Sequence, residues 1–274
     1  MSSEAGTHVA DCLEIGHLFT VPHPKDSDRR ITWQLSGEKP ITDKIYKDFS
    51  IAVYNCEKVS AHKENAVVKI WMQTRSEDDD SQDNSPDSKS GYIATASVLT
   101  PAWDKEVEAL EKLNQDYEKL RLAAEEQRKH IQFKPFPSFL GLAKDKQPED
   151  ENFPVYKGYL IFLVMEKLPG DCISEDDYWE WQKKERDEFR EAFEKSFRFI
   201  EKMRIANTDL AMRNLLYDRS EKKWLSNTSS YLIDWESWRE CDPNDPYPQN
   251  RLLASYGLIQ DLGARAGCLR WVWD

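Results

Sequence analysis

Three oxygen-bearing side chains, those of Asp209, Asn214 and Asp234, have the types and spacing that phosphoryl transfer needs. One carboxylate can orient a hydroxyl, while an amide oxygen and a second carboxylate hold Mg²⁺. Asn214 stands five residues after Asp209, and apolar segments at 215–217 and 231–233 lead from it to Asp234. Because Mg²⁺ demands near-octahedral oxygen ligands in fixed places, we expect these residues at the ends of two strands.

The composition limits the kinds of partner that the chain can have. At 274 residues it can bury a substantial core in one domain or two lobes. Its net charge of −12 argues against unaided binding to nucleic acid or to an anionic membrane. No apolar run is long enough to span a bilayer, the N-terminus lacks a secretory signal, and the five cysteines are scattered. These features predict a cytoplasmic protein with reduced thiols and no zinc site.

The first part of the chain has the pattern of a β-rich region. Residues 1–30 are polar and irregular, which predicts an N-terminal extension. Strands are predicted at 31–35, 50–56 and 66–72, where β-branched and aromatic residues concentrate. The acidic, low-complexity segment 76–91 is predicted to be a disordered loop.

The remaining elements predict a more helical region after one strong strand. Apolar residues at three- and four-residue steps predict a helix over 100–129. The apolar segment 158–165 predicts a strand buried on both faces, and the Pro-Gly breaker at 169–170 marks a boundary. Two helices are predicted beyond it, at 174–182 and about 185–204. This order fits a smaller β-rich lobe hinged onto a helical lobe.

The motifs around Asp209 and Asp234 carry a family resemblance. Asp-x-x-x-x-Asn-Leu-Leu-Tyr-Asp followed by Leu-Ile-Asp-Trp-Glu resembles the catalytic segment of kinase-fold phosphotransferases. It is most similar to the aminoglycoside and choline kinase branch with its fungal kinase-like relatives, over about residues 45–240. The resemblance implies an α+β, two-lobed, protein-kinase-like fold. Residues 31–168 would form a small β-rich N-lobe, and residues 169–274 a reduced helical C-lobe.

The resemblance also implies a role for each matching residue. Asp209 would accept or orient the proton of the acceptor hydroxyl, and Asn214 and Asp234 would ligate Mg²⁺ bridging the phosphates of ATP. Lys69, in the strand Val-Val-Lys-Ile, would contact the α- and β-phosphates, held there by Glu106 of the long helix.

Two details of the nucleotide site follow from the same resemblance. Because the helical register is uncertain, Glu108 and Glu111 are alternatives to Glu106 as the partner of the lysine. Met165, Glu166 and Leu168 match the hinge whose backbone groups would meet the adenine of ATP.

Three departures from the family pattern bear on activity. No glycine occurs between Gly37 and Gly91, so the Gly-rich phosphate loop is missing or displaced. Asn207 and Thr208 replace the usual His-Gly before the catalytic aspartate, and Asn207 is expected to supply the histidine's hydrogen bonds. Only 40 residues follow Asp234, which predicts a reduced acceptor site or one completed by a protein partner.

These observations leave three functions open. The first is an ATP- and Mg²⁺-dependent phosphotransferase acting on a hydroxyl acceptor, with a small molecule favoured as the acceptor. The second is a weak or inactive pseudokinase that serves as a nucleotide-binding or protein-interaction module. The third is a structural interaction protein built on the long helix and the acidic loop.

Overall fold

The chain is a mixed α/β protein made of two compact units. The structure is a computed structural model that describes residues 8–46, 48–60, 63–74, 102–129, 131, 133–149, 152–155, 157–218, 229–242, 244 and 247–259. Unit 1 comprises Met1–Trp103 and Ser138–Lys167, and unit 2 comprises Asp104–Pro137 and Leu168–Asp274. Among the described residues, no helix combines the length and apolar character that crossing a bilayer requires.

Unit 1 is built on a seven-stranded antiparallel sheet. Its elements are helix α1 (Val9–Cys12) and strands β1 (Leu18–His23), β2 (Asp26–Ser36), β3 (Thr42–Ile45), β4 (Phe49–Lys58), β5 (Asn65–Gln73), β6 (Phe139–Lys146) and β7 (Tyr159–Glu166). The strand order is β1-β2-β4-β5-β7-β6, and β3 pairs with β4 beside β2. Strands β5 and β7 lie at the centre of the sheet, which places Lys69 opposite Val53 on one side and Leu163 on the other.

Alternation along the strands separates the two faces of the sheet. On β5, Val68, Ile70 and Met72 join the main core of the unit, together with Phe162 and Val164 of β7. Lys69 has the opposite parity and therefore points to the other face. The sequence predicted both central strands because their residues are β-branched or apolar throughout, as burial on both faces requires.

The sheet curls until its two edge strands touch at Gly141. This residue has φ of +150°, and an added Cβ would lie 2.5 Å from Val21 Cγ2 and 2.8 Å from the Pro22 carbonyl oxygen. Only glycine leaves room for this approach of β6 to β1. Unit 1 is consequently barrel-like, with an apolar interior that includes Trp33, buried to 1% exposure.

Unit 2 contains most of the helices and the shorter strands. Helix α2 (Ala102–Glu126) begins in unit 1 and lies mostly in unit 2. It is followed by β8 (Asp171–Cys172), α3 (Glu175–Glu180), α4 (Lys183–Glu201), β9 (Ile205–Asn207), a 3₁₀ turn (Met212–Asn214), β10 (Leu215–Asp218), β11 (Ser229–Leu232), β12 (Trp238–Glu240) and α5 (Gln249–Ser255). The strands form two small sheets, β11-β10-β8 and β12-β9.

The core of unit 2 is aromatic and forms along one face of α4. Phe189 packs edge-on against Tyr217, and Phe193 packs against Tyr256 at 4.7 Å between ring centroids. Ser196 Oγ, on the same face, donates to the carbonyl of Ser230 at 2.6 Å and ties α4 to β11. The helix thereby supports the hairpin that carries the predicted metal ligands.

The predicted strands at 31–35, 50–56, 66–72 and 158–165 are confirmed, as is the long helix over 102–126. Ser174 caps α3, its Oγ accepting from the backbone N–H of Asp177. The prediction that residues 18–30 are irregular is wrong, because they form β1 and the start of β2. The predicted acidic loop at 76–91 and the end of the chain lie outside the described residues.

Candidate functional site

The hairpin of β10 and β11 brings the backbone of Asn214 next to Ile233, the residue before Asp234. Asn214 ends the 3₁₀ turn, and its carbonyl oxygen accepts from the backbone N–H of Ile233 at 3.0 Å, one residue before Asp234. Asp234 itself has φ of +62°. Aspartate tolerates this left-handed conformation better than most residues do, and such backbone outliers concentrate at functional sites.

Asp209 is held by two neighbouring side chains. Asn214 Nδ2 donates to the Asp209 carboxylate and to its backbone oxygen, both at 3.0 Å. Arg213 contacts the two carboxylate oxygens from the other side, at 3.0 and 2.8 Å. The carboxylate therefore has a fixed orientation. With Nδ2 engaged, the Asn214 Oδ1 is the amide atom left to act as a ligand.

Asn207 links the loop of Asp209 to the motif of Asp234. Its side chain is buried to 2% exposure. The Oδ1 accepts from the Asp209 backbone N–H at 2.9 Å, and the Nδ2 donates to the Asp234 carbonyl at 2.8 Å. Asn207 therefore makes hydrogen bonds of the kind that we expected from the residue that replaces the histidine.

Three carboxylates meet beside this linkage. The ligand oxygens of Glu106, Asp234 and Glu236 lie within 4.8 Å of one another. Glu106 also accepts from the backbone N–H of Trp235 at 3.3 Å, which anchors α2 to the motif. Glu106 is 1% exposed, whereas the alternatives Glu108 and Glu111 are exposed.

The donor set fits a hard divalent cation. Mg²⁺ binds oxygen ligands at about 2.0–2.1 Å, so oxygens on opposite sides of one ion are roughly 4 Å apart. The spread of the three carboxylates is close to that separation. Asn214, whose Oδ1 could be a further ligand, ends the 3₁₀ turn before β10 and is bonded through its backbone to Ile233, next to Asp234. No sulfur or imidazole ligand belongs to the cluster, which favours Mg²⁺ over zinc.

Lys69 and most of the predicted hinge belong to unit 1. Lys69 is 7% exposed, and its Nζ lies 5.1 Å from the ring centroid of Trp71. Met165 is buried at the end of β7. The Glu166 backbone N–H donates to the Ser138 carbonyl, and the Glu166 carboxylate accepts from Ser138 Oγ at 2.6 Å. The predicted pairing of Lys69 with Glu106 stays a prediction, since the two residues belong to different units.

Two residues contribute more to the site than the sequence could assign. Glu236 was not among the metal ligands predicted from the sequence, but its carboxylate lies within 4.8 Å of those of Glu106 and Asp234. Tyr256, on the turn that ends α5, is 1% exposed. Burial first, and the Asp209 carboxylate second, raise the pKa of Tyr256 above its usual range. Tyr256 therefore stays a neutral phenol near the Asp209 loop, and its sequence position gave no signal of this.

Comparison with known proteins gives little independent support. No family model matches the sequence, and no curated protein matches it. Among solved structures, that of vaccinia related kinase 3 is similar, with 11% sequence identity and a TM-score of 0.37. The match covers 83% of this chain and 52% of that one, so the chain spans about half the length of that protein. A similarity at this level leaves the case for function to the residues of the site.

Proposed function

We propose that the chain is a kinase-like phosphotransferase that uses ATP and Mg²⁺ and acts on a hydroxyl acceptor. The observation that carries the proposal is that Asn207 bonds both the Asp209 loop and the Asp234 motif, beside a cluster of carboxylates. The order of sheet, long helix and helical unit agrees with the two-lobed arrangement that the motifs imply.

Each residue has a task that its contacts support. Asp209, aligned by Arg213 and Asn214, would accept a hydrogen bond from the acceptor hydroxyl and direct it to the phosphoryl group. Asn214 and Asp234 would hold Mg²⁺, with Glu236 close enough to assist. When bound, Mg²⁺ would neutralise part of the negative charge on the phosphates.

Lys69 would supply a second positive charge to the phosphates of ATP. Lys69 is buried and its ammonium group lies over the Trp71 ring, and a charge in such a buried position interacts more strongly than it does in water. We propose that the acceptor is a small molecule, because the segment between Asp234 and α5, residues 235–248, is short for binding a protein acceptor. A protein partner that completes the acceptor site belongs to the same proposal.

A second candidate, a nucleotide-binding module without turnover, is favoured by one specific observation. Strand β3 ends at Ile45 and β4 begins at Phe49, and the ring of Tyr46 stacks on that of Phe49 at 4.7 Å between centroids. The sequence that joins the two strands contains no glycine, so it lacks the flexible residues that bring a run of backbone N–H groups over phosphates. Nucleotide affinity would then depend on Lys69 and the metal ligands.

Binding and turnover measured on the same variants separate the two candidates. Isothermal titration with ATP in Mg²⁺ or in EDTA measures affinity, and release of radiolabelled phosphate from [γ-³²P]ATP measures turnover. Asp234→Ala is expected to abolish Mg²⁺-dependent binding. Asp209→Ala is expected to keep binding but to lower turnover about 10²-fold or more, as loss of a proton-orienting group does.

Asp176→Ala is the matched control, because Asp176 is an exposed carboxylate of unit 2 on α3. Mg²⁺-dependent binding without turnover in the unaltered protein would establish the second candidate. Neither binding nor turnover, in protein whose folding is verified by circular dichroism, would refute both.

A further inference from the structure

A cavity of about 240 Å³ opens at one end of the curled sheet of unit 1. Strands β1, β2, β4 and β6 contribute to its wall, as do the turns that follow β1 and precede β5. Cavities at the mouths of barrel-like sheets are a common location for small-ligand sites. The lining residues are His23, Pro24, Arg29, Ile31, Trp33, Lys58, Glu64 and Leu140.

The rim of this cavity is lined by ionisable side chains, which follow the last core-facing residues of the strands. Side chains two residues apart along a strand share a face. At this end of the sheet, along β1, β2 and β4 and at the start of β5, the last residue buried in the core is followed two positions away by an ionisable residue nearer the cavity mouth. The buried members are Val21, Ile31, Cys56 and Ala66, and their outer neighbours are His23, Arg29, Lys58 and Glu64.

The charge at the rim is opposite to that of the protein. Lys58 and Glu64 form an ion pair at 2.9 Å and largely offset each other. Arg29 is exposed and makes no ion pair with any described residue. His23 Nδ1 accepts from the backbone of Lys25, which leaves Nε2 as the nitrogen that donates. A local excess of cationic and donor groups therefore occurs in a chain of net charge −12.

The floor of the cavity is apolar but carries one buried donor. Ile31 is 8% exposed and Trp33 is 1% exposed. Within the described part of the chain, the Trp33 indole Nε1 has no hydrogen-bond partner. A buried indole N–H is normally bonded, since leaving it unpaired costs free energy. The Nε1 atom itself is enclosed, which leaves the indole ring as the part of Trp33 that lines the cavity.

We propose that this cavity is a binding site for a small organic anion with a carboxylate or phosphate head. The head would contact Arg29 and His23 at the rim, and a compact apolar body would rest on Ile31 and Trp33. This site lies wholly within unit 1 and involves none of the residues assigned to phosphoryl transfer. The proposed anion site is therefore independent of the proposed phosphotransferase function.

Fluorine NMR of protein labelled with 5-fluorotryptophan tests the site directly. The chain has ten tryptophans, and the resonance lost in Trp33→Phe identifies the reporter. Phenyl phosphate and benzoate are the probes, benzyl alcohol is the neutral counterpart, and inorganic phosphate lacks the apolar body. Saturable shifts of the Trp33 resonance are expected with the two aromatic anions, with dissociation constants on the order of 1 mM for probes of this size.

Paired arginine variants show whether the rim charge is responsible. Arg29→Gln is expected to weaken phenyl phosphate binding about tenfold or more, as loss of a charged hydrogen-bond partner does. Arg30→Gln is the matched control, because Arg30 is the exposed neighbour of opposite parity on β2 and does not line the cavity. It should change the affinity less than about twofold.

Several results would overturn the proposal. Equal affinity for benzyl alcohol and phenyl phosphate would show that charge is not recognised. Equal losses of phenyl phosphate affinity in Arg29→Gln and Arg30→Gln would show that the ligand does not contact Arg29 at the rim. An unchanged Trp33 resonance at about 10 mM of either aromatic anion would show that the cavity does not bind this class of ligand. A response to inorganic phosphate alone that matches the phenyl phosphate response would exclude the apolar floor from the site.

Discussion

Replacing Asn207 by alanine should loosen the connection between the Asp209 loop and the Asp234 motif. The substitution removes the acceptor of the Asp209 backbone N–H, at 2.9 Å, and the donor to the Asp234 carbonyl, at 2.8 Å. Both partners are backbone groups that cannot move away without disturbing β9 or the turn after β11. They would be left unsatisfied beside a residue that is 2% exposed.

The size of the effect follows from these two lost partners. An unsatisfied buried polar group costs about 1–3 kcal/mol. Asp209 is partly solvated, so water can replace part of one hydrogen bond. We therefore expect Asn207→Ala to lower the free energy of unfolding by about 2–4 kcal/mol. Asn244→Ala should change it by less than about 0.5 kcal/mol, because Asn244 is exposed and its bonds among the described residues are with Asp242, two positions away.

Urea unfolding gives the stability difference, and hydrogen exchange locates it. The Asp209 amide should lose protection in Asn207→Ala but keep it in Asn207→Asp, which retains the acceptor oxygen and loses only the donor toward Asp234. If Asn207→Ala costs no more than Asn244→Ala and the Asp209 amide remains protected, the linkage described for Asn207 is wrong.

Three further expectations concern unit 1. Gly141→Ala should destabilise the protein by about 3 kcal/mol in urea unfolding, because its Cβ would clash with Val21. Gly37→Ala shares a positive φ, but its Cβ would meet only ordinary van der Waals contacts at 3.6 Å or more, so an equal loss would contradict the steric explanation. Burial lowers the pKa of His17, so the unfolded chain binds its proton more readily, and stability should fall as pH drops below about 6.5. His17→Gln should flatten that part of the stability–pH curve measured by urea unfolding. Burial raises the pKa of Cys56 to about 12, so maleimide at pH 8 should leave it unmodified in the native protein, as peptide mass spectrometry would show.

The central strands could be predicted from sequence because burial on both faces demands continuous apolar residues, as in β5 and β7. Strand β1 was missed for a related reason. Its Pro22 breaks the strand pattern, but β1 is an edge strand, where a residue without a backbone N–H is tolerated. Leu18 is 56% exposed and Phe19 is 7% exposed, so the alternation is present but too short to recognise beside a proline.

The contacts around Asp209 were predictable where the geometry is local. Asp209 and Asn214 are five residues apart and bond each other, and the strand pairing that follows returns the chain to the neighbourhood of Asn214 just before Asp234. The role of Asn207 was also foreseeable, since an amide can replace both hydrogen bonds of an imidazole. The arginine on Asp209 was less certain, because Arg213 could equally have pointed into solvent.

The carboxylate cluster shows why the rest could not be predicted. Glu106 lies 128 positions before Asp234, and only the packing of α2 against the motif brings its carboxylate near Glu236. Two charges 4.8 Å apart repel by about 3.5 kcal/mol at an effective dielectric of 20. Such proximity has no signature in the sequence, because it depends on contacts between residues that are far apart in the chain.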